Sequence, residues 1–382
     1  MIADNMAEMI LIGSVSLIFF AYFGYPMTLL LVGWVRGRDV NRAMVIPSVT
    51  FIVTVHNEER RIKDKLDNTL SLDYPKEKLQ VLVASDGSSD RTNEIVRGYR
   101  DQGTELLDMP DRRGKENAQK EAVKSATGDI IVFSDVATAM EIGGLRQLVS
   151  NFDDPTVGCV SSEDRLLRKD GKPSGEGLYV RYEMWLRRLE SRANSLVGLS
   201  GSLFSARKGV CANFSGEMQS DFRTVLNSVK MGLRGVSDPL VVGLYQDTAD
   251  QEREWDRKIR TVVRGLTVLF RHLELLNVFQ YGLFSYQLFC HKLLRWSVPF
   301  FLILALVANL VLIHSSFIYS ILLLLQLSLY VFGILGLLIP KTQYMIPIRI
   351  PMYFLGVNAS ILFAWWRYLR GQRIVTWTPT KR

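Results

Sequence analysis

Pro47-Ser-Val-Thr-Phe-Ile-Val-Thr-Val55 runs into His56-Asn57-Glu58-Glu59, and Leu79-Gln-Val-Leu-Val-Ala84 runs into Ser85-Asp86-Gly87-Ser88-Ser89-Asp90. Each stretch starts as an apolar, β-branched run of the kind that forms a strand buried on both faces, and each ends in a polar cluster. Working outward, Glu58–Leu70 and Asp90–Tyr99 carry apolar residues at helical spacing, 105–109 reads as a short strand, Lys115–Ser125 as a helix and Ile130-Ile-Val-Phe133 as another strand. Strand–helix alternation at this spacing means βαβ units, so the expected fold class is α/β: an open, mostly parallel sheet with flanking helices. Such sheets bind ligands beyond the carboxyl ends of their strands. The polar clusters fall there, and Ser134-Asp135 adds a third.

None of these strand ends carries GxGxxG or GxxxxGK[ST], which disfavours a dinucleotide oxidoreductase and a P-loop ATPase. Several acidic groups at one sheet edge suit hydrogen bonds to a base and ribose, and a metal beside phosphates. Asp86, taken alone, reads as a turn residue before a helix cap. Asp135 at a second strand end shifts the balance, because a hard cation such as Mg2+ or Mn2+ bridging a diphosphate wants a carboxylate there. Lys115 follows Gly114 at a helix start and reads either as basic surface or as a cation near a pyrophosphate.

The chain has 382 residues, 46 Lys+Arg against 38 Asp+Glu, a net charge of +8 and 48% apolar residues. That composition excludes a disordered or collagen-like chain, and three cysteines without CxxC spacing indicate neither a disulfide framework nor a zinc site. The apolar residues are segregated. Met9–Val35 holds no charge, nor does Trp296–Pro340 apart from a neutral His314, while Ile350–Trp366 is a marginal 17-residue stretch. The second stretch is long enough to cross a bilayer twice, with His314-Ser-Ser316 as the turn.

Arg36, Arg38 and Arg42 follow the first segment, so the positive-inside rule puts residues 36–295 in the cytoplasm of an integral membrane protein, with the cell (inner) membrane the expected site. The expected domains are a transmembrane anchor over 1–35, a catalytic domain over 36–265, interfacial amphipathic helices over 266–295, two or three transmembrane helices over 296–366 and a basic tail over 367–382. Three C-terminal crossings put that tail outside; two leave it inside, as its charge prefers. A nucleic-acid site is a poor explanation for the +8, because much of the charge lies beside membrane segments.

Phe51-Ile-Val-Thr-Val-His-Asn-Glu-Glu59, Ala84-Ser-Asp-Gly-Ser-Ser-Asp-Arg-Thr92, Arg113-Gly-Lys115 and Gly128-Asp-Ile-Ile-Val-Phe-Ser-Asp135 resemble, in order and spacing, the nucleotide-binding half of a family-2 glycosyltransferase with the GT-A fold. Gly198-Leu-Ser-Gly-Ser-Leu-Phe-Ser-Ala-Arg207 and Ser220-Asp221-Phe resemble its acceptor half. His291-Lys-Leu-Leu-Arg-Trp296 before the apolar segments resembles the membrane-integrated branch of cellulose, hyaluronan and poly-N-acetylglucosamine synthases.

The resemblance implies donor contacts from Thr54, Glu58, Asp86, Lys115 and Asp135, with Asp135 also holding Mg2+ or Mn2+. It implies acceptor contacts from Gly201 and Ser202, and Asp221 as general base. The expected activity is inverting transfer from a nucleotide sugar, UDP-GlcNAc or UDP-glucose, to a growing polysaccharide or membrane-associated glycan. Single-sugar transfer to a polyprenyl phosphate or other lipid is the alternative, and a catalytically degenerate membrane scaffold a third reading.

Three positions depart from the family pattern. Asp-x-Asp is reduced to Asp135-Val-Ala137, and the base motif is Ser220-Asp221. The Gln-x-x-Arg-Trp of polymerising members reads Gln251-Glu-Arg-Glu254-Trp255, which leaves Arg257 and Arg260 on the following basic helix as candidates for diphosphate or acceptor contact.

Overall fold

A computed structural model describes residues 2–167, 178–246, 251–339, 341–342 and 345–373. It divides into two compact units: Leu30–Asp250 with Thr267–Phe284, and a helical unit of Met1–Leu29, Gln251–Leu266 and Ser285–Arg373.

Helix α1 (Ile2–Phe19) continues through a π-turn at Phe20–Gly24 into α2 (Tyr25–Arg36). The first unit then alternates β1 (Val49–Val55), α3 (Ile62–Leu70), β2 (Leu79–Asp86), α4 (Thr92–Arg97), β3 (Thr104–Met109), α5 (Lys115–Ser125) and β4 (Ile130–Asp135). Next come β5 (Ala139–Met140), α6 (Gly144–Ser150), β6 (Val157–Leu167), α7 (Leu178–Ala193), β7 (Leu203–Arg207), α8 (Ser220–Lys230) and β8 (Arg234–Gln246). Helices α9 (Gln251–Phe270), α10 (Val278–Tyr281), α11 (Leu283–Leu288), α12 (Arg295–Leu312), α13 (Phe317–Leu338) and α14 (Ile346–Leu369) complete the described chain.

The eight strands form one sheet in the order β3-β2-β1-β4-β7-β6-β8-β5. β3, β2, β1 and β4 are parallel, β7 is antiparallel to both β4 and β6, and β8 runs parallel to β6. This topology brings the carboxyl ends of β1, β2, β4 and β6 and the start of β7 to one edge. β1 is buried along its whole length, as its near-continuous apolar run requires. Phe51, Val53 and Val55 pack in one core with Ile62 and Leu66 of α3, each such side chain contributing about 1.5–3 kcal/mol on burial. Helix α3 begins later than the spacing predicts, because residues 56–61 are spent on a loop at the sheet edge. Asn57 there takes a left-handed φ of 54°.

In the helical unit α1 and α12 are antiparallel. Ala7 and Leu11 pack with Ala305, Ala308 and Leu312 at one end, and Ala21 with Leu294 and Val298 at the other. α13 turns back along α12, with Tyr330 Oη donating to the Leu302 carbonyl at 3.4 Å and Asn309 Nδ2 to Gln326 Oε1 at 3.0 Å. The break between them falls at the expected polar turn. α14 starts beside the end of α13, where the absent side chain of Gly336 makes room for Ile348 and Met352. Phe354 then meets Tyr22 edge-on at 5.6 Å, and Trp365 Nε1 donates to the Trp296 carbonyl at 2.8 Å. Tyr22, Trp296 and Gly336 all mark the same end of the α1–α12–α13 bundle, so both halves of α14 lie at that end. Four stretches, 4–36, 283–312, 317–338 and 346–369, are long and apolar enough to cross a membrane.

Candidate active site

Asp86 ends β2 with its carboxylate turned to the loop before α5. Oδ1 accepts from the Arg113 N–H at 2.7 Å and Oδ2 from the Gly114 N–H at 2.8 Å, while its carbonyl accepts from His56 Nδ1 at 2.7 Å. A carboxylate offers about four lone-pair sites, so two remain for a ligand. Gly87 is required next to it. Its φ is 62°, and a Cβ there would stand 2.7 Å from the Arg112 amide nitrogen. The clamp fixes Gly114 at φ 100° and starts α5 at Lys115.

From that helix start Lys115 reaches across the sheet edge. Its Nζ donates to the Asp135 carboxylate and, at 2.9 Å, to the Gly201 carbonyl. Asp135 keeps 30% of its side chain exposed, and its N–H donates to the Ser202 carbonyl at 2.9 Å, tying the end of β4 to the start of β7. Thr54 is the β1 residue in register with Asp135; its Oγ1 is buried and has no hydrogen-bond partner among the described residues.

Asp221 occupies the first turn of α8. Its carboxylate accepts from the Phe222 N–H at 2.9 Å and from Gln219 Nε2 at 3.1 Å. A Cβ on Gly201 would stand 3.1 Å from Asp221 Oδ2. Gly201 therefore accepts from Lys115 through its carbonyl and leaves little room for a side chain beside the Asp221 carboxylate. Glu58 is nearly buried on the loop after β1, 3.3 Å from Arg61 Nη1, and its N–H donates to Thr92 Oγ1 at 2.8 Å. Arg257 and Arg260 lie on α9, in the helical unit. Glu254 lies outside the residues whose side chains are described.

Two residues at this edge escaped the sequence reading. Asp164 extends β6 and accepts from Ser200 Oγ and Ser202 Oγ, both at 2.7 Å, so it braces the Gly201 segment from behind. Its local signal is weak, a carboxylate four residues beyond the short apolar run that ends at Val160. Lys65 of α3 is buried, with Nζ donating to Ser134 Oγ at 2.7 Å and to the Thr138 carbonyl at 2.5 Å. Burial pushes its pKa down to about 7, against the opposing pull of Asp135. Helical spacing alone gave no hint of that lysine's orientation.

Among the described residues no group of three or more His, Cys, Asp or Glu side chains could hold a metal. The arrangement still fits a hard cation of the Mg2+ type, which is often held by one or two carboxylates together with substrate phosphates and water. Asp135, partly exposed at the end of β4, is a carboxylate placed for that.

Residues 50–199 match the family described as Glycosyl transferase family 2. The chain carries a family-2 glycosyltransferase domain. Poly-beta-1,6-N-acetyl-D-glucosamine synthase of Staphylococcus aureus (strain COL) is 26% identical over 236 residues, covering 59% of this chain and 56% of the relative. The synthase of the same name from Staphylococcus epidermidis is 26% identical over 145 residues, covering 36% of this chain and 35% of the relative. The chain thus spans little more than half the length of the first relative and about a third of the second. Among solved structures, the mannosyltransferase PcManGT from Pyrobaculum calidifontis, in complex with GDP-Man and Mn2+, aligns with a TM-score of 0.74 at 23% identity. The alignment covers 96% of this chain and 99% of that one, so the two chains share a fold along nearly their whole length. The family-2 match stops at residue 199; Gly201, Ser202 and Asp221 lie beyond it, with Gly201 joined to it by Lys115 and Ser202 by the Asp135 N–H.

Proposed function

We propose that the chain is an inverting glycosyltransferase that moves a sugar from a nucleoside diphosphate, UDP-GlcNAc before UDP-glucose, to a growing polysaccharide or membrane-associated glycan. One observation carries this reading: the donor-side cation Lys115 and the carboxylate Asp221 meet at Gly201. The names of the staphylococcal relatives favour N-acetylglucosamine as the sugar. The +8 charge with Arg36, Arg38 and Arg42 after the first apolar segment supports a cell-membrane protein with the catalytic unit in the cytoplasm.

In the reaction Asp221 takes the proton of the attacking hydroxyl as the new oxygen–carbon bond forms at the anomeric centre. The bond to the β-phosphate oxygen breaks on the opposite face, and its electron pair leaves with the diphosphate. Lys115 supplies positive charge to that leaving group. Asp135 would hold Mg2+ or Mn2+, which adds Lewis-acid stabilisation of the same oxygens. Asp86 and Glu58 hold the loops where base and ribose would rest, and Thr54 Oγ1 offers an unused hydrogen-bonding group.

A second reading, transfer of one sugar to a lipid phosphate, is favoured by Glu254 at the position where polymerising members carry Arg. Purified chain in nanodiscs with Mg2+ or Mn2+ and a panel of nucleotide sugars should release the nucleoside diphosphate. Asp221→Asn should lower turnover roughly 10²–10⁴-fold while donor affinity stays unchanged. Loss of donor binding in that variant would mean the base is elsewhere. No turnover and no donor binding by the wild type would leave the scaffold reading. A solvent-extractable single-sugar lipid as the product would displace the polymer.

A further inference from the structure

Helix α8 carries Asp221 towards Gly201. Arg223, two residues on and so about 200° around the helix, points away from that site to a second group of charges. There Lys230 Nζ lies 2.6 Å from Glu274 Oε1, Arg271 Nη1 lies 3.6 Å from Glu217 Oε2, and His272 Nδ1 lies 3.0 Å from Lys230 Nζ. Lys230 and Arg271 thus each have a carboxylate partner, and Arg223 is the cation left over. Its Nε and Nη1 are buried with no hydrogen-bond partner among the described residues, and the same holds for Nε2 of His272. Nδ1 lies between the donor Lys230 Nζ and, at 3.2 Å, the acceptor Glu274 Oε1, so Nε2 carries a proton when Nδ1 accepts from the lysine or when the ring is charged. Two buried donor nitrogens of Arg223 thus lack an acceptor among the described residues, and Nε2 of His272, within electrostatic reach of Arg223, has no partner there either.

A buried donor left unpaired costs about 1–3 kcal/mol, more when charged. Burial and the nearby Arg271 both disfavour the Arg223 charge, and Glu274 is held down to about 2 by Lys230 and His272 despite its own desolvation. The two carboxylates are thus already committed to other cations, and the arrangement lacks an anion.

We propose that Arg223, His272 and Arg271 form a binding site for a phosphate group, separate from the donor site. An oxygen-rich anion suits a guanidinium with two free N–H groups and an imidazole N–H, because phosphate accepts several charge-assisted hydrogen bonds at once. The residues that follow argue for a lipid as its bearer: Leu273, Val278 and Phe279 are 46%, 54% and 98% exposed within ten residues of His272, an apolar fringe beside a cationic site. Phosphate bound here grips the far side of the helix that presents Asp221.

The full chain in an uncharged detergent is tested by thermal unfolding with dioctanoyl phosphatidate, inorganic phosphate and, as a phosphate-free blank, dioctanoylglycerol. A ligand that binds only the folded state raises Tm in a saturable way. We expect phosphatidate to raise it by several degrees and the blank not at all, and Arg223→Gln to abolish the rise. An equal rise with inorganic phosphate would assign the site to a soluble phosphate; a rise with phosphatidate alone assigns it to a lipid headgroup. No rise with either phosphate, or a full rise in Arg223→Gln, overturns the proposal. Should Arg223→Gln fail to fold, His272→Phe must show the same loss.

Discussion

Thr54 Oγ1 and Lys65 Nζ flank the end of β4 in opposite conditions, the first buried without a partner and the second buried with two. An unpaired buried hydroxyl destabilises the fold by about 1–3 kcal/mol, and Val fills the same volume without one. Thr54→Val should therefore raise Tm by a few degrees and weaken donor binding, read by thermal unfolding and by titration with the nucleotide sugar. A lower Tm would mean that the hydroxyl already has a partner. For Lys65 the sign follows from its pKa of about 7 in the fold against 10.5 for a free lysine. Below pH 7 both states are protonated and the folded state bears the whole cost of the buried charge. Between about 7 and 10.5 the unfolded chain binds more protons, so stability rises with pH. The wild-type Tm should climb through that window relative to Lys65→Met, and parallel curves for the two proteins would contradict it. Asp86 and Asp135 were legible as strand-end residues because each closes an apolar run, and Lys115 as a helix-start residue because it follows Gly114. Thr54's missing partner and Lys65's orientation depend on packing between elements and leave no trace in local spacing.

At the level of elements, the loop between β3 and α5 is shaped from outside itself. Asp86 accepts its two amides at 2.7 and 2.8 Å, and Gly87 leaves the room in which residues 111 and 112 sit. A methyl at Gly87 combines strain at φ 62° with a clash against that backbone. Gly87→Ala should cost about 1–3 kcal/mol in urea unfolding and also weaken donor binding, since the start of α5 and Lys115 shift with the loop. A variant as stable as wild type that keeps full donor affinity would show the clamp to be dispensable. The parallel half of the sheet could be read from alternating strand and helix patterns. The half built from β6, β7 and β8 could not: its strands pair across long stretches of sequence, with register shifts between Val157 and Cys159 and between Ser161 and Glu163. Such irregular pairing has no local period, which is why Asp164 stayed hidden while Asp135 did not.

For the whole molecule, composition could not decide whether the basic tail lies inside or outside, because α14 has the length and hydropathy of a third C-terminal crossing. Packing separates the cases. A helix rises about 1.5 Å per residue, so Phe354 and Trp365 lie about 16 Å apart along α14, yet both contact the bundle end marked by Tyr22 and Trp296. A helix crossing alongside α12 would carry Trp365 towards Leu312. α14 instead packs at one end of the bundle, from which we infer two C-terminal crossings, with Arg367, Arg370 and Arg373 on the side from which α12 starts. That is the side the positive-inside rule assigns to Lys292 and Arg295. The native thiols make this testable by labelling: Cys159, Cys211 and Cys290 are all buried, and burial raises the first to about 12. In intact cells a membrane-impermeant maleimide should modify Ser315→Cys, at the turn between α12 and α13, but not Arg373→Cys. Permeabilisation should expose Arg373→Cys. Labelling of Arg373→Cys in intact cells would restore the third crossing and place the tail opposite the glycosyltransferase domain.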